Sequence, residues 1–393
     1  MIGTIIFTVI ILIVVIIVLT MTGYSKGNLN ITNNNKLDSL PYMTITYNSD
    51  GTILQDPSCE IIELTPMNDV NSAQKGLYKI RDYYIFSSYN SCNESSETQY
   101  NNISLDALRY VISQGVRFLD FEIYSKDNNP IVATSNNPDN YDEFQSMNYV
   151  NFSDAFEIVI NNAFNKSTCP TNEDPLFVHL RIKSTNNKMF EKLASIFDGY
   201  QGTTNYMLGT NYSYEYTTCN EESEKENSCK SNNITNKPLY YFKNKIIIIL
   251  DRSNTNALDN NILMEFISLT SNSLYCRLIN NYTMINSQDQ VELLEFNKRT
   301  VTIVTPDVGI NTSNPDIMKS SLLGIQFNAN NFYKKDEYLT NAINMFNTVG
   351  HAFILKPTHM RYYPLTIDIP PENPESLSFK EKTVKSRFIG FSI

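Results

Sequence analysis

The chain has 393 residues, of which 41 are acidic and 31 basic, giving a net charge of -10. That length holds one large domain or two ordinary ones, and 41% hydrophobic residues supply a core. An acidic chain without a basic stripe excludes nucleic acid as a partner. Residues 2–22 come first, uncharged and almost purely aliphatic. At about 1.5 Å of rise per residue they can cross a bilayer core of about 30 Å. No basic segment precedes them and no A-x-A-like site follows, which favours a retained transmembrane anchor (residues 1–23) over a cleaved signal peptide. Lys26 and Lys36 follow the span and no Lys or Arg precedes it, so the positive-inside rule favours a cytoplasmic main domain. Residues 24–40 are Asn-rich and unpatterned and read as a tether, and residues 41–77 as an N-terminal extension.

From residue 78, apolar strand-like runs alternate with helical patterns. The runs are 83–89, 117–124, 130–135, 176–183, 245–252, 300–306, 322–328 and 352–357. Helical periodicity covers 104–114, 153–164, 187–200, 258–269 and 337–346, with Ser104 and Ser153 at N-cap positions. Strands separated by helices imply parallel β/α units. Eight strands over roughly 280 residues match an α/β fold of the (β/α)8 TIM-like barrel type. An open doubly wound sheet is the other option, without its Gly-rich fingerprint after the first strand. Residues 201–238 form a polar surface insertion. Six cysteines (Cys59, Cys92, Cys169, Cys219, Cys229, Cys276) contain no CxxC pair, which leaves a zinc ribbon without support. Cys219 and Cys229 bracket the insertion and form the nearest local pair; free thiols are the other reading.

Barrel enzymes work at the C-terminal ends of their strands. Asp120 and Glu122 are two apart on one strand and so share a face. They can hold a divalent cation, do acid/base work, or pair with a base. On the run L-F-V-H-L-R-I-K, His179, Arg181 and Lys183 share one face, and a cationic row inside a barrel needs partners. Asp120 and Glu122 can supply them.

These runs carry a resemblance. Y-I-F-S-S-Y-N-S (84–91), G-V-R-F-L-D-F-E-I-Y (115–124), P-I-V-A-T (130–134), L-F-V-H-L-R (176–181), K-N-K-I-I-I-I (243–249), L-L-G-I-Q-F-N (322–328) and G-H-A-F-I-L-K-P-T-H-M-R (350–361) resemble, in order, boxes of the eukaryotic-type phosphatidylinositol-specific phospholipase C. The resemblance implies a barrel of the phospholipase-C-like phosphodiesterase type, with an X-like half at 78–252, a Y-like half at 253–363 and a C-terminal tail at 364–393. It also implies where the chemistry belongs. The family's two catalytic histidines fall on Tyr89 and Thr134 here. Its calcium ligands fall on Asn90, Asp120, Glu122 and Arg181, and the last brings a positive charge where a carboxylate is expected. Its phosphate-binding lysines fall near Ile249 and Asp251. The expectation is therefore a membrane-anchored barrel that has lost catalysis and either binds a phosphoinositide head group or a protein partner, with Asn90, Asp120, Glu122, Arg181 and Lys183 as the binding residues, or serves as a structural membrane or virion protein. No cofactor is expected, and Ca2+ only if Asn90, Asp120 and Glu122 keep a metal site. The alternative is an active phosphodiesterase with a rearranged site, in which His179 does the work. The heavy use of Asn, Ile and Tyr, which have AT-rich codons, suggests an AT-rich genome, that of a protist or of a large DNA virus, and in the second case a host or virion membrane.

Overall fold

The computed structural model describes residues 78–94, 101–136, 143–209, 212–213, 234–309 and 312–363, and the short strand pairs 46–47 with 53–54 and 383–385 with 390–392. The expected anchor, tether, most of the extension, the centre of the polar insertion, and Cys59, Cys219 and Cys229 lie outside the described residues. Among the described residues no helix is long and apolar enough to cross a membrane. The chain divides into two compact units, residues 1–361 and 362–393. The second unit holds the antiparallel pair Thr383–Lys385 and Gly390–Ser392.

The first unit is a near-closed barrel. Its principal strands are β1 (Tyr83–Ser88), β2 (Phe118–Lys126), β3 (Asn129–Val132), β4 (Leu176–Lys183), β5 (Ile246–Asp251), β6 (Leu269–Ser271), β7 (Cys276–Asn280), β8 (Val301–Thr305), β9 (Phe327–Asn330) and β10 (Phe353–Leu355). Eight of them form parallel ladders in the order β7-β8-β9-β1-β2-β4-β5-β6. The barrel is thus the expected one, but its eight members are not the expected eight. The run at 130–135 becomes β3, which folds back antiparallel on β2 with Ile123 opposite Val132. The run at 352–357 becomes β10, which lies antiparallel on the first half of β1, with Phe353 opposite Ile85. Apolar alternation is the same for parallel and antiparallel pairing, so the sequence pattern cannot tell the two apart.

The remaining two members are β6 and β7, joined by only four residues. Parallel neighbours need a crossover of a dozen or more residues. β6 and β7 therefore follow one another along a single course, the first pairing with β5 and the second with β8.

Helices cover the outside. The principal ones are α1 (Leu105–Ser113), α2 (Phe152–Ala163), α3 (Asn187–Gln201), α4 (Gln290–Arg299) and α5 (Glu337–Val349). Ser104 caps α1 as expected, accepting from Asp106 N. The cap of α2 is Asn151, not Ser153, which lies inside the helix. The expected helix at 258–269 breaks up, because Asn254 and Asn260 each start a new single turn and Leu269 already belongs to β6. Helix α4 has no expected counterpart; Asp289 starts it and Lys298 and Arg299 complement its last turn. Gly350 ends α5 at a φ of 73°, donating its N–H to Phe346 O.

Strand alternation sorts the interior into layers. Phe118, Phe177, Phe327 and Phe353 fill one layer, with ring centroids 4.7 Å (Phe118–Phe327) and 5.1 Å (Phe177–Phe327) apart. Two residues further along β2 and β4, on the same faces, the layer turns polar: Asp120 and His179, then Glu122 and Arg181.

Candidate functional site

The site lies at the C-terminal half of β2 and β4, where the register sets Asp120 beside His179 and Glu122 beside Arg181. Both carboxylates are buried, at 0% and 2% exposure. Arg181 reaches across them. Its Nε is 3.1 Å from Asp120 Oδ1, its Nη2 is 2.9 Å from Asp120 Oδ2, and its Nη1 is 3.1 Å from Glu122 Oε2. Nη2 also donates to Asn90 Oδ1. Asn90 sits in the left-handed region, φ 45°, just beyond β1, a conformation that Asn tolerates better than most residues. This aims its side chain at Arg181 while its backbone N–H donates to Asp120 Oδ2 at 3.0 Å. Tyr89 places its ring 4.6 Å under the guanidinium carbon, a cation–π contact. Tyr124 donates its hydroxyl to Glu122 Oε1 at 2.6 Å.

Electrostatics follow from this geometry. Burial by itself would raise the Asp120 carboxyl, but the Arg181 guanidinium and the His179 hydrogen bond outweigh it and hold Asp120 well below the usual carboxylate range. Burial by itself would lower Arg181, and Asp120, Tyr89 and Glu122 together keep it charged. Burial pushes the Tyr89 phenol up to about 12, so it stays neutral near pH 7. A carboxylate depressed in the folded state stabilises the protein above its unfolded pKa, near 3.9, and that contribution is lost as pH falls through the folded value. The urea midpoint should therefore fall steadily below about pH 4, and the fall should be shallower in Arg181→Ala. Equal acid slopes for the two proteins would show that Asp120 is not held this way.

The other expected residues are placed as follows. Thr134 is buried, and its hydroxyl accepts from Asn101 Nδ2 at 3.1 Å. Lys183 is buried at the end of β4, opposite Tyr124 in register. His179 is fully buried, with Nδ1 2.7 Å from Asp120 Oδ1 and Nε2 2.9 Å from Ser271 Oγ. The sequence reading missed Tyr124 and Ser271. Tyr124 was within reach, since it lies two residues past Glu122 and so on the same face. Ser271 was hidden because its strand is only three residues long and looked like the end of a helix.

Residues 78–249 match the family model described as phosphatidylinositol-specific phospholipase C, X domain. The barrel is phosphatidylinositol-specific phospholipase C-like. Among solved structures, it is similar to PLC21 of L. pealei, with a TM-score of 0.56 and 16% identity over 76% of this chain and 40% of that one. PLC21 of S. officinalis gives a TM-score of 0.55 and 16% identity over 79% and 41%. A calcium-dependent phosphoinositol-specific phospholipase C from a Pseudomonas species gives 0.39 and 9% over 72% and 97%. The chain spans about two fifths of the length of the two PLC21 proteins. No curated relative matches its sequence.

A calcium ion takes 6–8 oxygens at roughly 2.3–2.6 Å. In this phospholipase-C-like barrel the side-chain oxygens of Asn90, Asp120 and Glu122 surround a guanidinium instead. Its charge would repel a divalent ion, so this donor set does not fit one while Arg181 stands among them. No group of three or more His, Cys, Asp or Glu able to hold a metal occurs among the described residues. Cys92, Cys169 and Cys276 are buried free thiols, and burial pushes those of Cys92 and Cys276 up, which makes them poor ligands and nucleophiles.

Proposed function

We propose that this is a membrane-anchored, phospholipase-C-like barrel without phosphodiesterase activity. Its role is binding, of a phosphoinositide head group or a protein partner, at a host or virion membrane reached through residues 1–23. The observation that carries the reading is Arg181, bonded at once to Asn90, Asp120 and Glu122. It fills the place where the resemblance implies a calcium ion.

The acid–base chemistry agrees. Cleaving a phosphodiester by attack of a neighbouring hydroxyl needs a base for that hydroxyl and an acid for the leaving oxygen, and histidine suits both because it titrates near neutral pH. The two implied positions carry Tyr89, whose phenol stays protonated, and Thr134, whose hydroxyl is bonded to Asn101. The active alternative needs His179 to serve the mouth. Both of its ring nitrogens are instead turned to Asp120 and Ser271.

The test is turnover. The full-length protein in mixed micelles containing phosphatidylinositol should release no inositol phosphate above background, with calcium or with a chelator. Release that depends on the protein in either condition would sink the proposal.

A further inference from the structure

The N-terminal end of the barrel, opposite the mouth, gathers positive charge that the linear sequence scatters. Three segments meet there. Residues 78–82 lead into β1, residues 238–245 lead into β5, and residues 356–361 leave β10, whose last residue Leu355 lies opposite Tyr83 at the start of β1. Lys79 forms a β-bridge with Pro238, and Leu239 N donates to Tyr78 O at 2.9 Å. Lys356 N donates to Asp82 O at 2.8 Å. The Arg361 guanidinium carbon lies 4.9 Å from the centroid of the Tyr78 ring.

These segments read Tyr-Lys-Ile-Arg-Asp, Pro-Leu-Tyr-Tyr-Phe-Lys-Asn-Lys and Lys-Pro-Thr-His-Met-Arg. Their basic residues are Lys79, Arg81, Lys243, Lys245, Lys356 and Arg361, against a single acid, Asp82. Asp82 and Lys356 are buried, and the other five basic residues are half-buried at the surface. Arg81 donates to Arg299 O at 3.1 Å, which brings one more cation to the rim. Glu173 lies 2.9 Å from Lys243 and offsets one charge. The crowding is felt: burial first, then the neighbouring Arg81, lowers the Lys79 amine. A chain of net charge -10 thus carries a local excess of positive charge on one end of its barrel.

Two further observations say what this face meets. Tyr240 and Tyr241 stand beside the cations at 38% and 70% exposure, with Lys243 Nζ 5.7 Å from the Tyr240 ring centroid. Tyrosine suits the headgroup level of a bilayer, and Lys and Arg suit the phosphates of an anionic one. The chain also enters the barrel here, at Tyr78, so the segment that carries the expected anchor joins this end.

We propose that the face formed by Lys79, Arg81, Lys243, Arg361, Tyr240 and Tyr241 docks on an anionic phospholipid surface, the bilayer that holds the chain's own anchor. This rests on the membrane-anchored reading above. A barrel standing on this end turns its mouth, with Arg181, away from that bilayer. The mouth then meets a soluble partner more readily than a head group in the same membrane.

Amine footprinting of the full chain in nanodiscs tests this, with acetylated lysines mapped by mass spectrometry. The discs are phosphatidylcholine alone, or phosphatidylcholine with about 30% phosphatidylserine. In the anionic discs Lys79 and Lys243 should react at least about 5-fold more slowly, and about 0.5 M NaCl should restore their rates. Lys126 and Lys335, exposed at the opposite end of the barrel, should react alike in both discs. Lys79→Gln, and separately Tyr241→Ser at an exposed position, should return Lys243 most of the way to its rate in neutral lipid. Equal rates for Lys79 and Lys243 in the two discs overturn the proposal; if both are slow, another part of the chain or a second copy covers the face. Slowing at Lys126 and Lys335 instead overturns it too, since the mouth would then face the bilayer. A chain that does not enter nanodiscs removes the anchor, and this inference with it; a chain that enters without lipid-dependent slowing removes this inference alone.

Discussion

Arg181→Ala lowers the thermal midpoint by on the order of 10 °C. The substitution removes the one guanidinium that reaches both Asp120 and Glu122 and leaves two buried carboxylates side by side. Removing one partner of a buried ion pair costs about 3–5 kcal/mol, and in a domain of this size each kcal/mol shifts the midpoint by roughly 2–4 °C. His179 and Tyr124 soften the loss, since each still bonds one of the carboxylates. Arg181→Lys should lose less than Arg181→Ala, because one ammonium keeps the charge but cannot reach Asn90, Asp120 and Glu122 with a fixed fork. Differential scanning calorimetry at pH 7 checks the order. A midpoint for Arg181→Ala within a degree or two of wild type would mean that the carboxylates find other partners and that Arg181 is not the centre of the site.

Arg181→Glu makes the fold depend on calcium. Four side chains, Asn90, Asp120, Glu122 and the new carboxylate, would then offer oxygens around the place now held by Nη1 and Nη2, with water completing the shell. In chelator this variant should be less stable than Arg181→Ala, because it buries a third negative charge beside two others. Calcium at about 100 times its dissociation constant should return about 2.7 kcal/mol. Wild type should show no such shift. Isothermal titration and thermal melts with calcium and with magnesium separate a site from general screening, since magnesium demands a smaller, more rigid octahedron. A variant that melts alike in calcium and in chelator would show that the pocket around residue 181 cannot be rebuilt for a metal by charge alone.

Much of this site was legible before any coordinates. Asp120 and Glu122 had to share a face because they are two apart, and Arg181 had to face inward with His179 because they are two apart on a strand with no exposed side. Which cation met which anion was not legible. That depends on register, and the ladder setting Asp120 opposite His179 and Glu122 opposite Arg181 comes from the packing of whole strands. The barrel shows the same division. Strand rhythm is visible, but the direction of pairing is not, so 130–135 and 352–357 read as barrel members and prove to be antiparallel attachments. Of the true members, β6 has only three residues, too few to show a period, and β7 reads Cys-Arg-Leu-Ile-Asn, with just two aliphatic residues to mark it. Helix α4 carries its apolar residues on a narrow stripe with only Leu293 and Asn297 buried, which gave its sequence little helical signal.

The positive charge between Asn90, Asp120 and Glu122 is covalently part of the chain. A dissolved ion at such a place comes and goes with its off-rate, and its occupancy tracks the concentration around it. Arg181 has no off-rate short of the opening of the barrel, and native domains unfold over times that run from under a second to days. The site therefore keeps its charge through any swing in calcium, and its electrostatic face is the same at low and at high calcium.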